Sequence, residues 1–335
     1  MKKIINTPER FVEDLAKGMA AAYPDQIKLL DDDYRVVVRA NPIKGKVGVV
    51  TAGGSGHLPV FTGYVGKGML DGCALGNVFA SPSAAKMHAM IKAADTGAGV
   101  LCLYGNYGGD IMNFEMARES ADLDDIKTTQ VLVTDDVASA PRENAEKRRG
   151  VAGMVFAYKV AGAAAEEMMP LEEVTRIAQK ACDRTVTIGI ALSPCIVPEV
   201  GKPSFSIAED EMELGMGIHG EPGIETSKMK TADEIAQMMT DLLLADLPST
   251  DGDFAVMVNG LGGTPLEELY IVYNRVHQIL DEKGIKHSTT PYIGEYATSM
   301  EMAGLSLSFM QMDDELKRLF LAPAATPFFT NLNKI

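Results

Sequence analysis

Two apolar runs, Lys46-Val-Gly-Val-Val-Thr51 and Gly99-Val-Leu-Cys-Leu-Tyr104, each pass directly into a glycine-rich bend. Runs that are apolar throughout and bounded by glycine fit buried strands better than strands with one wet face. Further β-rich runs, Tyr34-Arg-Val-Val-Val-Arg39 and Thr129-Gln-Val-Leu-Val-Thr134, alternate with helical patterns near residues 8–22 and 83–95. That alternation predicts an α/β sheet covered by helices, and ligands in open α/β sheets bind beyond the carboxyl ends of the strands. The bends that follow residues 51 and 104 are therefore candidate site loops.

At 335 residues the chain exceeds the size at which one core stops growing, so two domains are expected. A mostly apolar helical pattern at 151–167 and a helix opened by Pro170 and ending near Asp183 lead to a fresh β-run at 185–192. The boundary is placed there, giving domains 1–184 and 185–335, each an α/β sheet covered by helices. The second half adds strand patterns at 211–216, 253–258 and 305–311 and helical patterns at 231–244, 265–282 and 313–320.

The formal net charge of -15 opposes nonspecific binding to nucleic acid, which needs clustered cations. The short basic run Lys147-Arg148-Arg149 reads as a surface patch at a helix start. Cys73, Cys102, Cys182 and Cys195 are far apart in apolar surroundings and read as buried thiols in a reducing compartment. No stretch approaches the roughly 20 apolar residues that span a bilayer, and residues 1–14 lack the apolar segment of a signal peptide. A cytoplasmic protein is expected, with no membrane partner.

A third glycine-rich segment, Met212-Glu-Leu-Gly-Met-Gly-Ile-His-Gly-Glu-Pro-Gly-Ile224, surrounds His219. Glycine at such bends permits positive φ and close approach of backbone to a ligand. His57 and Asp110 occupy the same kind of setting in Thr51-Ala-Gly-Gly-Ser-Gly-His57 and Gly105-Asn-Tyr-Gly-Gly-Asp110, so the three residues are expected to converge on one small-molecule site. Asp110 reads two ways, as a general base or as the cap of the helix that follows, and the two are compatible. His88, His277 and His287 sit in ordinary helix or loop contexts and are assigned structural or surface roles. Gly215 to Gly220 satisfies G-x-G-x-x-G, but Pro222 and Gly223 follow where a dinucleotide site needs a helix. No G-x-x-x-x-G-K-[ST] loop and no H-E-x-x-H spacing occur, so neither a nucleotide cofactor nor a metal is assigned to this chain. The 20 methionines are spread along the elements and read as core filling.

The three glycine segments, with Arg148-Arg-Gly-Val-Ala-Gly153, Val258-Asn-Gly-Leu-Gly-Gly-Thr-Pro265 and Gly294-Glu-Tyr-Ala-Thr-Ser299, make the chain closely resemble the sugar-binding K subunit of dihydroxyacetone kinases, nearly end to end. The resemblance implies that His219 adds to a ketone as a hemiaminal and that Asp110 takes the proton of the terminal hydroxyl. It further implies that His57 acts on the same substrate as acid or base, with Gly53, Gly54 and Ser81 supplying polar contacts. It implies a homodimer that works with a nucleotide-bearing L-type subunit carrying ATP or ADP with magnesium, and with a phosphotransferase M-type subunit where phosphate comes by relay. Many family members carry lysine before the Asn of the aspartate loop; Gly105 stands there, leaving the ketose open between dihydroxyacetone and a tetrulose such as erythrulose. Relatives that bind the ketose without catalysis make a sensing coactivator the alternative role.

Overall fold

The computed structural model describes residues 2–31, 33–247 and 249–332. The chain forms two compact units, one of residues 1–133, 156–181 and 318–335, the other of 134–155 and 182–317. The chain thus crosses between units at 133/134, 155/156, 181/182 and 317/318, whereas the sequence suggested one boundary near 184. Hydrophobic patterning marks where elements begin and end but not which core a returning segment joins.

The first unit opens with α1 (Phe11–Ala22), the hairpin β1 (Ile27–Leu30) and β2 (Asp33–Arg39), then β3 (Gly48–Ser55), β4 (Gly72–Val78), α2 (Ala84–Ala94), β5 (Val100–Gly105), α3 (Gly108–Leu123) and β6 (Thr128–Val133). The sheet order is β1-β2-β4-β3-β5-β6. β4, β3, β5 and β6 run parallel, whereas β1 and β2 are antiparallel additions at one edge. β3 and β5 are buried along their whole lengths, as apolar runs with no polar alternation require. One face of the sheet, through Val36, Val50, Ala52 and Cys102, packs on Met87, Met90, Ile91, Phe114 and Ala117 of α2 and α3. From the other face Thr51 Oγ1 reaches the hydroxyl of Tyr158 at 2.9 Å. Tyr158 belongs to α4 (Met154–Glu166), which is followed by α5 (Leu171–Cys182).

The second unit holds β7 (Thr185–Ser193), β8 (Glu211–Leu214), β9 (Glu225–Lys228), α6 (Ala232–Asp246), β10 (Asp253–Gly260), α7 (Leu266–Glu282), β11 (Tyr292–Gly294) and β12 (Ala303–Met312). Its sheet runs β11-β10-β12-β7-β8-β9, antiparallel except for the β10–β11 pair. α6 and α7 cover it through Ile235, Met239, Leu243, Leu269, Val272 and Val276, packed on Ile188, Ile190, Val256, Val258 and Leu307. α6 starts at a reciprocal cap between Thr231 and Glu234, the Ser/Thr-x-x-Glu arrangement that satisfies two orphan amides. Of the basic run expected as a surface patch, Lys147 is exposed, Arg149 is half-buried and Arg148 is not at the surface. Arg148 is buried and makes two bonds of 2.7 Å to the Asp246 carboxylate, because the segment 134–155 needs a charge-paired anchor at the end of α6. Removing one partner of such a buried pair costs about 3–5 kcal/mol.

The chain then leaves β12 through α8 (Asp314–Leu321) and ends in the short pair β13 (Ala324–Ala325) and β14 (Thr330–Asn331). These last residues belong to the first unit. Ala325 donates its amide to Lys67 O at 2.9 Å, and Thr326 Oγ1 donates to Gly63 O at 2.8 Å. Gly66 and Gly68 have positive φ, and a Cβ on either would stand within 2.7 Å of backbone in residues 323–326. The return segment lies directly on that bend because both positions lack side chains. Lys159 on α4 is fully buried and donates to Leu319 O at 2.7 Å; burial pulls its ammonium down to about 7. Among the described residues no helix is long and apolar enough to cross a membrane.

Candidate active site

In the first unit the candidate residues gather at the carboxyl ends of three neighbouring strands, β4, β3 and β5. The expected bend at 51–56 is mostly strand. β3 continues through Gly53 and Gly54 to Ser55, with an irregular register against β4 at that point. The two glycines are buried, and their lack of side chains serves packing. A Cβ on Gly53 would lie 2.3 Å from the Phe61 ring, and one on Gly54 would lie 2.6–2.9 Å from the backbone of Phe79 and Ala80. The loop after β4 therefore folds down onto the end of β3, tied by Phe79 N to Ser55 O at 3.0 Å and Ser55 Oγ to Gly76 O at 2.8 Å.

His57 leaves the end of β3 almost wholly buried, 1% exposed. Its ring stacks on Phe79 with centroids 4.8 Å apart at 21°, and meets Phe61 edge-on at 6.0 Å. Both phenylalanines have positive φ, an uncommon state for a bulky residue, held here by dense packing on both sides of the imidazole. Such walls fix the ring plane and keep water from most of its surface.

Asp110 is 7% exposed and is the third residue of α3. It does not cap that helix, as the sequence reading allowed. Helical geometry already begins at Gly108, and Tyr107 is the N-cap with no side-chain cap bond. The glycine pair lets the first turn start earlier, which moves Asp110 inward by a full set of N-terminal positions. A carboxylate there sits in the positive field of the free amides at the helix start. Ser81 adjoins this turn: a Cβ on Gly109 would be 2.7 Å from Ser81 Oγ. Asn113 Nδ2 donates to Pro82 O at 2.9 Å, fastening the Ser81 loop to α3. His57, Gly53, Gly54, Ser81 and Asp110 are thus linked by packing at one sheet edge. Gly105 is the buried last residue of β5.

His219 belongs to the second unit, in the ten-residue loop 215–224 that joins β8 to β9. Gly215 and Gly220 have φ of 80° and 82°, so the loop leaves and re-enters its turn through left-handed backbone. Amide bonds from Gly217 to Glu221 O, Gly220 to Gly217 O and Ile224 to Leu214 O close it internally. Arg149 braces the base: it bonds Gly215 O at 3.1 Å and pairs with Asp136 at 2.7 Å. Burial holds Asp136 up to about 6 even beside that guanidinium. On the other side Ser299 Oγ donates to Ile218 O at 2.5 Å.

The decisive contact in the loop is local. Glu221 accepts from His219 Nδ1 at 2.9 Å with one carboxylate oxygen and from the His219 amide at 2.9 Å with the other. Burial raises the Glu221 carboxyl, but the hydrogen bond and charge of His219 outweigh it and hold the group at about 2. Gly217 makes room for this arrangement, because a Cβ there would lie 2.2 Å from Glu221 Oε2. The glycine pattern here builds a seat for a carboxylate–imidazole pair, with no helix start that would hold a dinucleotide.

The Dak1 domain family model matches residues 17–328. The chain belongs to the dihydroxyacetone kinase family. This Dak1 chain is 45% identical over 316 residues to the dihydroxyacetone-binding subunit of the PTS-dependent dihydroxyacetone kinase 1 of Listeria innocua, covering 94% of the chain and 95% of that protein. It is 44% identical to a D-erythrulose kinase of Mycolicibacterium smegmatis, of which it spans 56% while 98% of the chain is matched. Among solved structures, the dihydroxyacetone kinase operon co-activator Dha-DhaQ superposes with a TM-score of 0.88 at 31% identity, covering 94% of this chain and 97% of that one. Kinases and their sugar-binding subunits thus dominate its relatives, and a phosphotransferase assignment follows.

Within this Dak1 domain the sequence reading passed over Glu221, Arg149, Phe61 and Phe79. Glu221 had a visible signal, a carboxylate two residues from a glycine-flanked histidine, but only the loop path brings it to Nδ1. For the aromatic walls there was no comparable signal, since their contacts depend on how the β4 loop folds onto β3.

Proposed function

We propose that the chain is the ketose-binding subunit of a dihydroxyacetone-type kinase, which holds a short ketose as a hemiaminal on His219 and offers the terminal hydroxyl to a nucleotide-bearing L-type partner. The observation that carries this reading is the bond of His219 Nδ1 to Glu221 at 2.9 Å. A carboxylate at Nδ1 selects the tautomer in which Nδ1 keeps the proton and Nε2 keeps the lone pair. In the addition Nε2 forms a C–N bond to the carbonyl carbon, the π pair moves to oxygen, and that oxygen takes a proton from solvent water, which leaves as hydroxide to the buffer. The Nδ1 proton stays against Glu221, whose charge offsets the positive charge gained by the ring. A polyol such as glycerol has no carbonyl to capture and is rejected on chemical grounds.

Asp110 accepts the proton of the terminal hydroxyl as that oxygen attacks phosphorus, and His57 polarises the same ketose as acid or base. Gly53 and Gly54 through their backbone, and Ser81 through its hydroxyl, hold the sugar. Phosphoryl transfer depends on positioning and charge stabilisation, and an acidic chain needs the cations for it from elsewhere. ATP or ADP with magnesium therefore belongs on the partner. The Listeria relative is named as PTS-dependent, which supports a relay through an M-type subunit. The working form is a cytoplasmic homodimer.

Two features favour a second substrate, erythrulose: the D-erythrulose kinase is 44% identical, and Gly105 leaves the end of β5 without a side chain. Likeness to the co-activator supports a sensing role, against which both Asp110 and His57 are present. The test is reconstitution with L-type partners, ATP, magnesium and each ketose. Asp110→Asn and His219→Ala lower phosphorylation about 10³-fold while circular dichroism is unchanged. Retention of a tenth of the activity by either variant rejects its role, and absence of product with every partner selects the sensor.

A further inference from the structure

α7 ends with His277 and Asp281 one turn apart, so both side chains stand on the same face of its last turns. Past the helix the chain turns at Gly284, φ 67°, and His287 comes back against them. The backbone on either side of His287 is pinned to the start of β10: Phe254 N donates to Lys286 O at 2.9 Å and Ser288 N to Phe254 O at 2.7 Å. The end of α7 and the start of β10 thus bring the three side chains together. Their ligand atoms all lie within 4.8 Å of one another.

The proton positions fit metal capture. His287 Nδ1 lies 3.1 Å from Ile285 O, and a carbonyl only accepts, so that nitrogen carries the proton and Nε2 carries the lone pair. Nε2 faces His277 Nδ1 at 2.7 Å. The other nitrogen of His277, Nε2, lies 3.4 Å from Asp281 Oδ2. A cation placed between the two imidazoles would displace the single proton they share. The displaced proton moves to Nε2 of His277, next to the Asp281 carboxylate, so the ring stays neutral and frees its Nδ1 lone pair for the cation. A histidine that binds metal through one nitrogen and donates through the other to a carboxylate or carbonyl is the usual supporting arrangement; His287 has it through Ile285 O, and His277 has the Asp281 carboxylate 3.4 Å from its Nε2. Asp281 is also close enough to His287, 3.9 Å from Nδ1, to swing in as a third ligand.

We propose that His277, His287 and Asp281 form a binding site for a divalent transition-metal ion of the zinc class. Two imidazoles and a carboxylate suit zinc, nickel or copper and not magnesium or calcium, which prefer all-oxygen shells. Metal–nitrogen bonds of about 2.0–2.1 Å in a tetrahedral shell put the nitrogens about 3.3 Å apart, so the pair opens by about half an ångström. His277, at 47% side-chain exposure, has room to make that shift, while His287, at 9%, stays anchored. The Tyr273 ring lies nearly parallel to His277, at 17° and 6.1 Å, and limits rotation of the imidazole. The absence of an H-E-x-x-H spacing hid this cluster in the sequence, because its members come from a helix and from the loop beyond it.

The test is calorimetric titration of chelator-treated protein with zinc chloride at pH 7.5. One equivalent binds at micromolar or tighter affinity, magnesium in large excess does not compete, and His277→Ala weakens binding at least tenfold. His287→Ala does the same, Asp281→Asn weakens it several-fold, and His88→Ala leaves it unchanged. An unchanged melting temperature for the exposed His277→Ala variant shows that its fold survives, so that variant decides even where His287→Ala fails to fold. Uptake that does not saturate at one equivalent, or that is equal in the His277→Ala protein, overturns the proposal.

Discussion

Glu221 sets the direction of the His219 imidazole with two bonds of 2.9 Å, one to the ring and one to the amide. Glu221→Gln keeps the shape and an acceptor but removes the charge that, in the proposed addition, offsets the ring. The expected result is a fall of about 100-fold in kcat/KM of the reconstituted complex. The nuclear magnetic resonance signal of a ¹³C-carbonyl ketose bound at His219 weakens in parallel. A loss under threefold would mean that the carboxylate only braces the loop. At this scale the sequence was informative about residue type and poor about partners. His57, Asp110 and His219 stood out because glycine surrounds each of them, whereas the Phe79 face over His57 and the Arg149 bonds beneath the His219 loop arise from chain paths that no spacing reveals.

β4 shows what periodicity misses among elements. Its sequence, Gly72-Cys-Ala-Leu-Gly-Asn-Val78, carries glycine and asparagine, which strands generally avoid, yet it lies between β2 and β3. Its glycines are there for contact. A Cβ on Gly76 would fall 1.7 Å from Ala80 O, so the strand end and the loop bearing Phe79 and Ser81 fit only without one. Gly76→Ala should destabilise the protein by roughly 1–3 kcal/mol. It should also raise KM for the ketose, as read by chemical denaturation and by kinetics of the same preparation; unchanged KM would detach this loop from substrate binding. β2, β5, β6 and β7 and helices α1, α2 and α4 to α8 lie close to their apolar patterns, whereas β3 runs four residues past its apolar run into the glycines. The short edge strands β1, β9 and β11 did not show in the sequence, because few buried side chains mark them.

For the molecule as a whole, Lys159 links stability to pH. Its folded value is about 7 against an ordinary 10.5, so between those limits the unfolded chain holds a proton that the folded chain lacks. Stability therefore rises with pH across that window, by at most about 1.4 kcal/mol per unit, and is flat with respect to this group below it. Lys159→Met removes the effect, so the stability difference between variant and native protein should shift in favour of the native chain from pH 7 to 9.5 in thermal scans. A difference that stays constant would show that the ammonium remains charged in the folded state. The same lysine donates to Leu319 in the segment that closes the first unit, so the unit that starts the chain also finishes it. During synthesis on a ribosome, every piece of the second unit is made before the last piece of the first, and the bend at 63–68 and the buried Lys159 must wait for their partners until residues 318–332 are translated.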